Sequence, residues 1–468
     1  MALLVAGPPA LGAAPWSDLQ AVPGTSEGRW ELIQGPGPGF SGYGLRDVQE
    51  LFGFTPGGMG VAVLGRDGGG LGISRFSGST GTFGAPTASR LGGVVPSQMA
   101  LYGREGMVLG GQANLAGDPR SGEVFLDAAV TRGSVTGAFA RRQILAKGRD
   151  STQAVVTALA ANAAGDAAAV VSVPVRGAGH ESRLFIRRRG QSAFRKVADI
   201  GIRTVGKSPA ALAVNGPGDV LVAWDDRTSV RARLVTASGK VGAEQRLGQG
   251  GSPFRNQPLV AAMDGTRRML VAWLAQSLGQ TAAGGPGIVA LASASPYRSF
   301  RPAQVVQRNL PRGDDRAVGG PAAALLRNRG VVVWNGYVNG HYVVRSVDVT
   351  SGRAGSRRNL SPLGTDTKLQ GLAVGARGGT IAAWSSRSSG TVPQPTPGVF
   401  AVTRAADVPG WGPIETVATT RTADVGALIA ASPVSGQALL IFSLIWDVQP
   451  PAYPNPVPVR FSVRSSPD

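Results

Sequence analysis

The chain contains no cysteine among its 468 residues. This absence excludes disulfides, thiolate metal sites, cysteine nucleophiles and lipidation at a lipobox cysteine. Histidine is nearly absent as well, because only His180 and His341 occur. A His-based catalytic triad or a His-rich metal site would need one of these two residues, with partners supplied by the fold. We interpret both as loop or hairpin residues, and the sequence predicts no catalytic residue, metal site or cofactor.

Long helical and hydrophobic segments are also missing. No stretch repeats apolar residues at helical spacing, and no run of 18 apolar residues occurs, so we expect no transmembrane helix. Hydrophobic residues make up 43% of the chain, which is enough for a large core. The 69 glycines and 33 prolines favour a fold with many turns.

Lysine is scarce, although the formal net charge is +19. The five lysines are Lys147, Lys196, Lys207, Lys240 and Lys368. Arginine therefore supplies the excess, and a GC-rich genome explains part of it. Dispersed arginine keeps a protein soluble and protects strand edges. The alternative is attraction to an anionic polymer. The charges form no tail, and no known nucleic-acid module occurs, so we expect no dedicated nucleic-acid binding.

One motif recurs along the chain: a turn with Gly, Asn or Asp leads into a short apolar strand, which we call the anchor strand. Four copies end in tryptophan, at Trp224, Trp273, Trp334 and Trp384. Weaker copies end near Leu64, Gly110, Val171 and Phe442. The spacing of 46 to 61 residues fits four strands with their turns. We expect the four tryptophans to fill the core between repeats, whereas Trp30 and Trp446 would suit exposed sugar platforms better.

Three other strands surround each anchor. A short inner strand precedes it, as at 210–214, and a third strand follows it, as at 230–236. A fourth strand opens in most copies with an aromatic residue, as at Phe194 and Phe300. The last repeat lacks a fourth strand, and an unpaired copy begins at Trp16 near the N-terminus. The sequence therefore predicts a closed ring in which the N-terminal strand completes the last repeat, since closure removes exposed edges.

These repeats resemble those of β-propeller proteins over residues 14–465. The fold class is all-β, a single propeller of about eight four-stranded blades, with seven blades as the alternative. The Gly-His…Trp-Asp signature of WD-repeat blades, the kelch double glycine and the sialidase Asp box are absent. The anchor motif is most similar to propeller repeats of uncharacterised secreted bacterial proteins. Such a resemblance implies a fold and not an activity.

Residues 1–13 resemble the back half of a signal peptide, with a short apolar stretch and an Ala-rich segment before Trp16 but no basic start. We interpret them as a signal-like segment whose start is truncated. A frayed apolar tail is the alternative. This interpretation predicts a secreted or cell-surface protein.

A binding site is predicted where the anchor strands end, because equivalent loops of all blades gather on one face of a propeller. Polar residues recur just after the anchors. The predicted binding residues are Arg66, Asp67, Asp225, Arg227, Asn335, Tyr337 and Arg387. Such a mixed set suits a sugar or peptide site. The alternative location is the opposite face, assigned to residues 201–207 and 308–318 and containing Asp314 and Asp315.

The leading hypothesis is a non-catalytic scaffold that binds a protein, a polysaccharide or an anionic polymer. We expect a monomer without a cofactor. The alternative is a propeller-type glycoside hydrolase or lyase that acts on an anionic glycan, so enzymatic activity stays open. Its carboxylates would come from Asp225–Asp226 or Asp314–Asp315, but neighbouring residues on a strand point to opposite faces.

Overall fold

Every regular element in the described residues is a β-strand, in a computed structural model of the chain. The structure describes residues 16–17, 20–21, 23, 31–32, 51–66, 70–88, 94–116, 125–148, 153–175, 179–203, 210–226, 228–250, 259–276, 287–296, 298–310, 320–326, 329–364, 366–375, 377–387, 398–406, 408–419, 425–435, 437–444 and 459–464. Within these residues no helix is long and apolar enough to span a membrane.

The strands form eight antiparallel sheets, which we number as blades 1 to 8 and describe from the inner to the outer strand. Blade 1 contains Glu31–Leu32 and Phe52–Phe54, then Gly60–Arg66, Gly70–Ser77, and Thr82–Phe83 with Thr87–Ala88. Blade 2 contains Val95–Tyr102, Gly106–Ala116, Phe125–Ser134 and Gln143–Ala146. Blade 3 contains Val155–Ala161, Ala167–Val175, Gly179–Arg187 and Arg195–Arg203. Blade 4 contains Ala210–Val214, Val220–Asp225, Ser229–Val235 and Gln245–Gln249.

The second half of the ring repeats the same arrangement. Blade 5 contains Leu259–Met263, Met269–Gln276, Gly287–Ala294 and Gln304–Leu310. Blade 6 contains Ala322–Leu325, Gly330–Val338, His341–Thr350, and Arg353–Ala354 with Arg358–Asn359. Blade 7 contains Asp366–Val374, Thr380–Arg387, Gly398–Arg404 and Ile414–Thr419. Blade 8 contains Val425–Ala431, Ala438–Leu444, Val459–Arg464 and Gln20–Ala21. All eight predicted anchor strands are confirmed as the second strand of a blade.

The ring closes through the N-terminal strand. The inner strand of blade 8 contacts that of blade 1. Gln20 pairs with Phe461 and Ala21 with Arg460. Ser17 adds a backbone hydrogen bond from its N–H to the Val463 carbonyl, at 2.8 Å. The predicted closure and the count of eight blades, rather than seven, are therefore confirmed.

The four anchor tryptophans fill the space between blades, as predicted. Trp224, Trp273, Trp334 and Trp384 are each at most 1% exposed. Each packs against residues of the preceding blade. Two indoles lie against glycine backbone of the preceding outer strand. A Cβ at Gly201 would lie 2.7 Å from Trp224 Nε1, and one at Gly248 would lie 2.9 Å from Trp273 Cζ2. These positions therefore exclude any side chain.

A glutamine clasp joins neighbouring outer strands. Gln143 lies four residues after Phe139, and it both accepts from the Phe194 N–H and donates to the Phe194 carbonyl, each at 2.8 Å. Gln245 accepts from the Phe300 N–H at 2.9 Å in the same way. Gln304 likewise accepts from the Ala354 N–H, also at 2.9 Å. In blades 2 and 5 an aromatic residue, Phe139 or Phe300, is thus followed four residues later by the glutamine that contacts the next blade, and in blade 4 Val241 takes the place of the aromatic.

Candidate functional site

The described members of the predicted site all lie in an anchor strand or at its end, but the structure does not gather them into one cluster. Asp225 closes the anchor strand of blade 4, Asn335 and Tyr337 lie in that of blade 6, and Arg66 and Arg387 close those of blades 1 and 7. Asp67 and Arg227 lie outside the described residues, as do the side chains of Arg66 and Arg387. Blades 1, 4 and 6 are not neighbours in the ring. Only blades 6 and 7, which contain Asn335, Tyr337 and Arg387, are neighbours.

Two predicted binding residues are part of the core. Asn335 is fully buried, and its Oδ1 accepts from the Leu369 N–H of blade 7 at 2.8 Å. Asp225 is 3% exposed, and the backbone of Gly250 lies against its carboxylate. The Asn335 side chain therefore joins blades 6 and 7, and the Asp225 side chain is enclosed within blade 4.

The neighbouring Asp226 caps the turn that follows the blade 4 anchor. Its carboxylate accepts from the backbone N–H groups of Thr228 at 3.0 Å and Ser229 at 2.7 Å. Arg231 Nε donates to its second oxygen at 2.5 Å. Burial raises the pKa of Asp226, but these hydrogen bonds outweigh burial and lower the pKa to about 2. Asp226 therefore caps the turn, whereas Asp225 is the last residue of the anchor strand.

We expect Asp226→Asn to lower the melting temperature at pH 7 by a few degrees, because the lost charge weakens the turn (roughly 2–4 °C per kcal/mol). The folded pKa of about 2 lies below the usual value for aspartate, so its stabilisation is present above pH 4. It is lost as the pH falls toward 2. Thermal melts from pH 7 to pH 3 should therefore show the two proteins converging in acid. A constant difference across that range would contradict this account.

The blade 6 hairpin carries the most promising surface cluster. The anchor strand and the third strand of this blade meet at Asn339–Gly340, with φ of 50° and 90°. This is the type I′ geometry that an Asn-Gly turn favours. The turn places Tyr337 opposite Tyr342 and Val338 opposite His341. The two tyrosine rings meet edge to face with centroids 5.2 Å apart.

Asp366, the first residue of blade 7, completes this cluster. Its Oδ1 accepts from the Tyr342 N–H at 3.0 Å and lies 3.7 Å from His341 Nδ1. The His341 and Asp366 side chains are 29% and 30% exposed. Arg387 pairs with Asp366 in the strand register. We define Tyr337, His341, Tyr342 and Asp366 as the Tyr–His–Asp patch.

The patch presents two half-buried aromatic rings, an imidazole and one carboxylate. Asp366 Oδ1 accepts a hydrogen bond from the hairpin, whereas Asp366 Oδ2 has no hydrogen-bond partner among the described residues. The patch thus offers apolar ring surface beside a hydrogen-bond acceptor. Its single carboxylate differs from the pair that glycoside hydrolysis uses.

The other histidine forms no comparable site. His180 Nδ1 lies 3.1 Å from Ser172 Oγ in blade 3. Ser172 is fully buried, so a bound substrate cannot reach its hydroxyl. In the described part of the chain no group of three His, Cys, Asp or Glu residues is arranged to hold a metal ion.

The alternative binding location, residues 201–207 and 308–318, was predicted on the face opposite the anchor-strand ends. That prediction is wrong, because the outer strands that lead into it end at the anchor face. Arg203 pairs with His180, and Leu310 pairs with Gly287, so both outer strands end beside the start of a third strand. The third strand starts where the anchor strand ends, because these two consecutive strands run antiparallel, so both outer strands end at the anchor end of the blade. Asp314 and Asp315 themselves lie outside the described residues, as do Trp30 and Trp446.

At the opposite end of blades 3 to 5, polar side chains form hydrogen bonds to the neighbouring blade. Asn162 Nδ2 donates to the Asn215 carbonyl of the next blade at 2.8 Å. Arg267 donates to both Asp219 oxygens, at 2.6 and 2.7 Å. Burial raises the pKa of Asp219, but the bonds from Arg267 and Asn215 outweigh it and leave that pKa below its usual value. These turn residues therefore join blades 3, 4 and 5.

Sequence reasoning missed His341, Tyr342 and Asp366 as site residues. The segment Tyr337-Val-Asn-Gly-His-Tyr342 contains a signal, since two tyrosines flank an Asn-Gly turn symmetrically. Such symmetry predicts a cross-strand aromatic pair. Asp366 carries no local signal, because its contact with blade 6 depends on how two blades pack.

No protein-family model matches the chain, and no curated protein matches it. Several solved structures are similar. A lectin from Burkholderia pseudomallei, BP39L, is 11% identical, with a TM-score of 0.43 over 79% of this chain and 98% of the lectin. The β-propeller domain of the Trilobed protease from Pyrococcus furiosus is 9% identical, with a TM-score of 0.40 over 77% and 92%. The eight sheets themselves show that this chain is a β-propeller.

Proposed function

We propose that the protein is a non-catalytic binding scaffold that holds a saccharide on the Tyr–His–Asp patch. The observation that carries this proposal is the pair of half-buried tyrosine rings beside Asp366. Sugar rings have apolar faces and hydroxyl edges, so they match an aromatic surface next to a few fixed polar groups. Asp366 Oδ2 accepts a sugar hydroxyl, and His341 supplies a second polar edge.

The position of the patch supports this assignment. The Asn-Gly turn and the strand pairing hold Tyr337 and Tyr342 on rigid elements, so little side-chain entropy is lost on binding. The opposite end of blades 3 to 5 uses Asn162, Asp219 and Arg267 to join blades. The anchor end of blades 6 and 7 is therefore the better docking surface.

A glycan array of neutral and acidic oligosaccharides, followed by calorimetry on the best ligand, tests this function. We expect Tyr337→Leu to weaken binding at least tenfold, or about 1.4 kcal/mol, because leucine keeps the packing but removes the flat ring. His341→Ala should weaken it several-fold. Tyr102→Leu is the matched control, because Tyr102 ends the inner strand of blade 2 at the opposite end of the blades. It should bind as the wild type does.

Three outcomes would contradict the proposal. Unchanged binding in Tyr337→Leu would move the site elsewhere. Binding of peptides instead of glycans, still dependent on Tyr337, would make the ligand a protein. Release of shortened sugars from the bound glycan would show a glycoside hydrolase or lyase.

A further inference from the structure

A second feature lies on the outer rim, where exposed arginines lie in the outermost strands or two to three residues before them. We call this set the basic arc, and it consists of Arg141, Arg195, Arg246, Arg301, Arg308 and Arg353. All six are exposed. Within the described residues their side chains form no hydrogen bond and no ion pair, in contrast to most other arginines.

Other arginines have structural roles that account for part of the positive charge. Arg268 donates to the Leu326 carbonyl of the next blade at 2.5 Å. Arg329 reaches the carbonyls of Ala406 and Val408 in blade 7 at 2.8 and 3.1 Å. A planar guanidinium can bond several acceptors at once, which lysine cannot do in the same geometry. These residues explain why arginine dominates, but they leave the basic arc unexplained.

Acidic neighbours do not neutralise the arc. Glu244, the residue before the blade 4 outer strand, is bound by Arg231 and Arg233. Asp199 on the blade 3 outer strand pairs with Lys196 at 2.6 Å. Among the described residues, these two carboxylates are therefore already engaged, and Arg195 and Arg246 keep their positive charge.

Protection of strand edges does not explain where the arc lies. Every blade has an outer edge that would need such protection. The arc nevertheless covers blades 2 to 6 only, as a continuous sector. The described outer strands of blades 7, 8 and 1 contain no basic residue, in Ile414–Thr419, Gln20–Ala21, Thr82–Phe83 and Thr87–Ala88. In the described part of the chain, the positive charge of the outer strands is thus confined to adjacent blades, and this indicates a partner that follows the rim.

We propose that the basic arc binds a flexible, linear anionic polysaccharide that follows the rim from blade 2 to blade 6. The rim is convex, so a stiff rod or a flat membrane would touch one or two blades, whereas a flexible chain can reach all five. Duplex DNA is stiff over roughly 50 nm, so it would behave as a stiff rod and touch only one or two blades. Single-stranded nucleic acid favours exposed aromatic platforms. Phe194, beside Arg195, is 5% exposed and packs in the core instead.

Heparin-derived oligosaccharides of 4 to 16 sugars, titrated at several salt concentrations, test this proposal. Affinity should rise with length until the chain spans the arc, and it should fall steeply with salt. The triple variant Arg141→Gln, Arg195→Gln and Arg246→Gln should bind about tenfold or more weakly, with a salt slope smaller by roughly one unit per arginine. These residues lie in blades 2, 3 and 4.

The control variant removes the same charge elsewhere, by Arg75→Gln, Arg104→Gln and Arg377→Gln, all exposed positions outside the arc. Equal weakening in both triple variants would overturn the site, since only net charge would matter. Absence of heparin binding at low salt, or tighter binding of duplex or single-stranded DNA of equal charge, would overturn the ligand class. Tyr337→Leu should leave heparin binding unchanged, so this test is independent of the patch.

Discussion

Removing residues 1–23 should lower the melting temperature by roughly 10 °C or more, because it takes the outer strand from blade 8. Ser17 makes three hydrogen bonds to blade 8. Its N–H donates to the Val463 carbonyl at 2.8 Å, its Oγ accepts from the Val463 N–H at 3.0 Å, and its carbonyl accepts from Ser462 Oγ at 2.7 Å. Each bond contributes about 1 kcal/mol net.

Burial adds to this effect. Trp16 packs against the core between blades 7 and 8, and burying such a ring stabilises by about 2 kcal/mol. The loss also exposes the edge of Val459–Arg464, which then becomes a template for pairing with another chain. We therefore expect aggregation on heating as well as a lower melting temperature.

Scanning calorimetry of three proteins checks this result: the full chain, the chain without residues 1–23, and the chain without residues 1–13. The shorter deletion keeps Trp16 and Ser17, so its melting temperature should match that of the full chain. If both shortened proteins have the same melting temperature as the full chain, the N-terminal strand does not stabilise the ring. Equal destabilisation by both would instead assign the effect to residues 1–13.

The fold was predictable because each blade repeats a local pattern. The apolar strand that ends at Trp224 and the turn before it occur again at Trp273, Trp334 and Trp384. The position of the third strands after each anchor and the aromatic openings of the fourth strands gave their order within a blade. The unpaired fourth-strand copy that begins at Trp16 then predicted that the N-terminal strand completes the last blade and closes the ring.

The candidate site was predictable only in part, because it depends on contacts between blades. Polarity after the anchor marked Asn335 and Tyr337 equally, yet Asn335 is buried and accepts from Leu369, whereas Tyr337 lies at the hairpin end. The register with blade 7 decides between them, and no local pattern encodes that register. The same reason explains why Asp366 was missed and why two loop ends were assigned to the wrong face.

In blade 7 a glutamate replaces the glutamine that follows the aromatic residue of an outer strand. Trp411 opens the outer strand of blade 7, and four residues later Glu415 takes the glutamine position. Its partner is Arg464 of blade 8, which donates from Nε to Oε2 at 2.8 Å and from Nη2 to Oε1 at 2.7 Å. The spacing is visible in the sequence, but the partner is not.

Glu415→Ala should destabilise the protein by about 3–5 kcal/mol, because it leaves a buried arginine without its counter-charge. The Arg464 side chain is fully buried, and Glu415 is 16% exposed. Arg464 Nη1 already has no hydrogen-bond partner among the described residues, so little is left to compensate the charge. Chemical denaturation at pH 7 measures the loss directly.

Two further variants separate burial from pairing. Asp199→Ala breaks a pair of similar length, between Lys196 and Asp199 at 2.6 Å, but these side chains are 43% and 53% exposed. It should cost less than about 1 kcal/mol. The double variant Glu415→Leu with Arg464→Met removes both charges and should recover most of the stability, since apolar residues can replace a buried ion pair. A double variant as unstable as Glu415→Ala would show that the pair itself, and not the unpaired charge, holds blades 7 and 8 together.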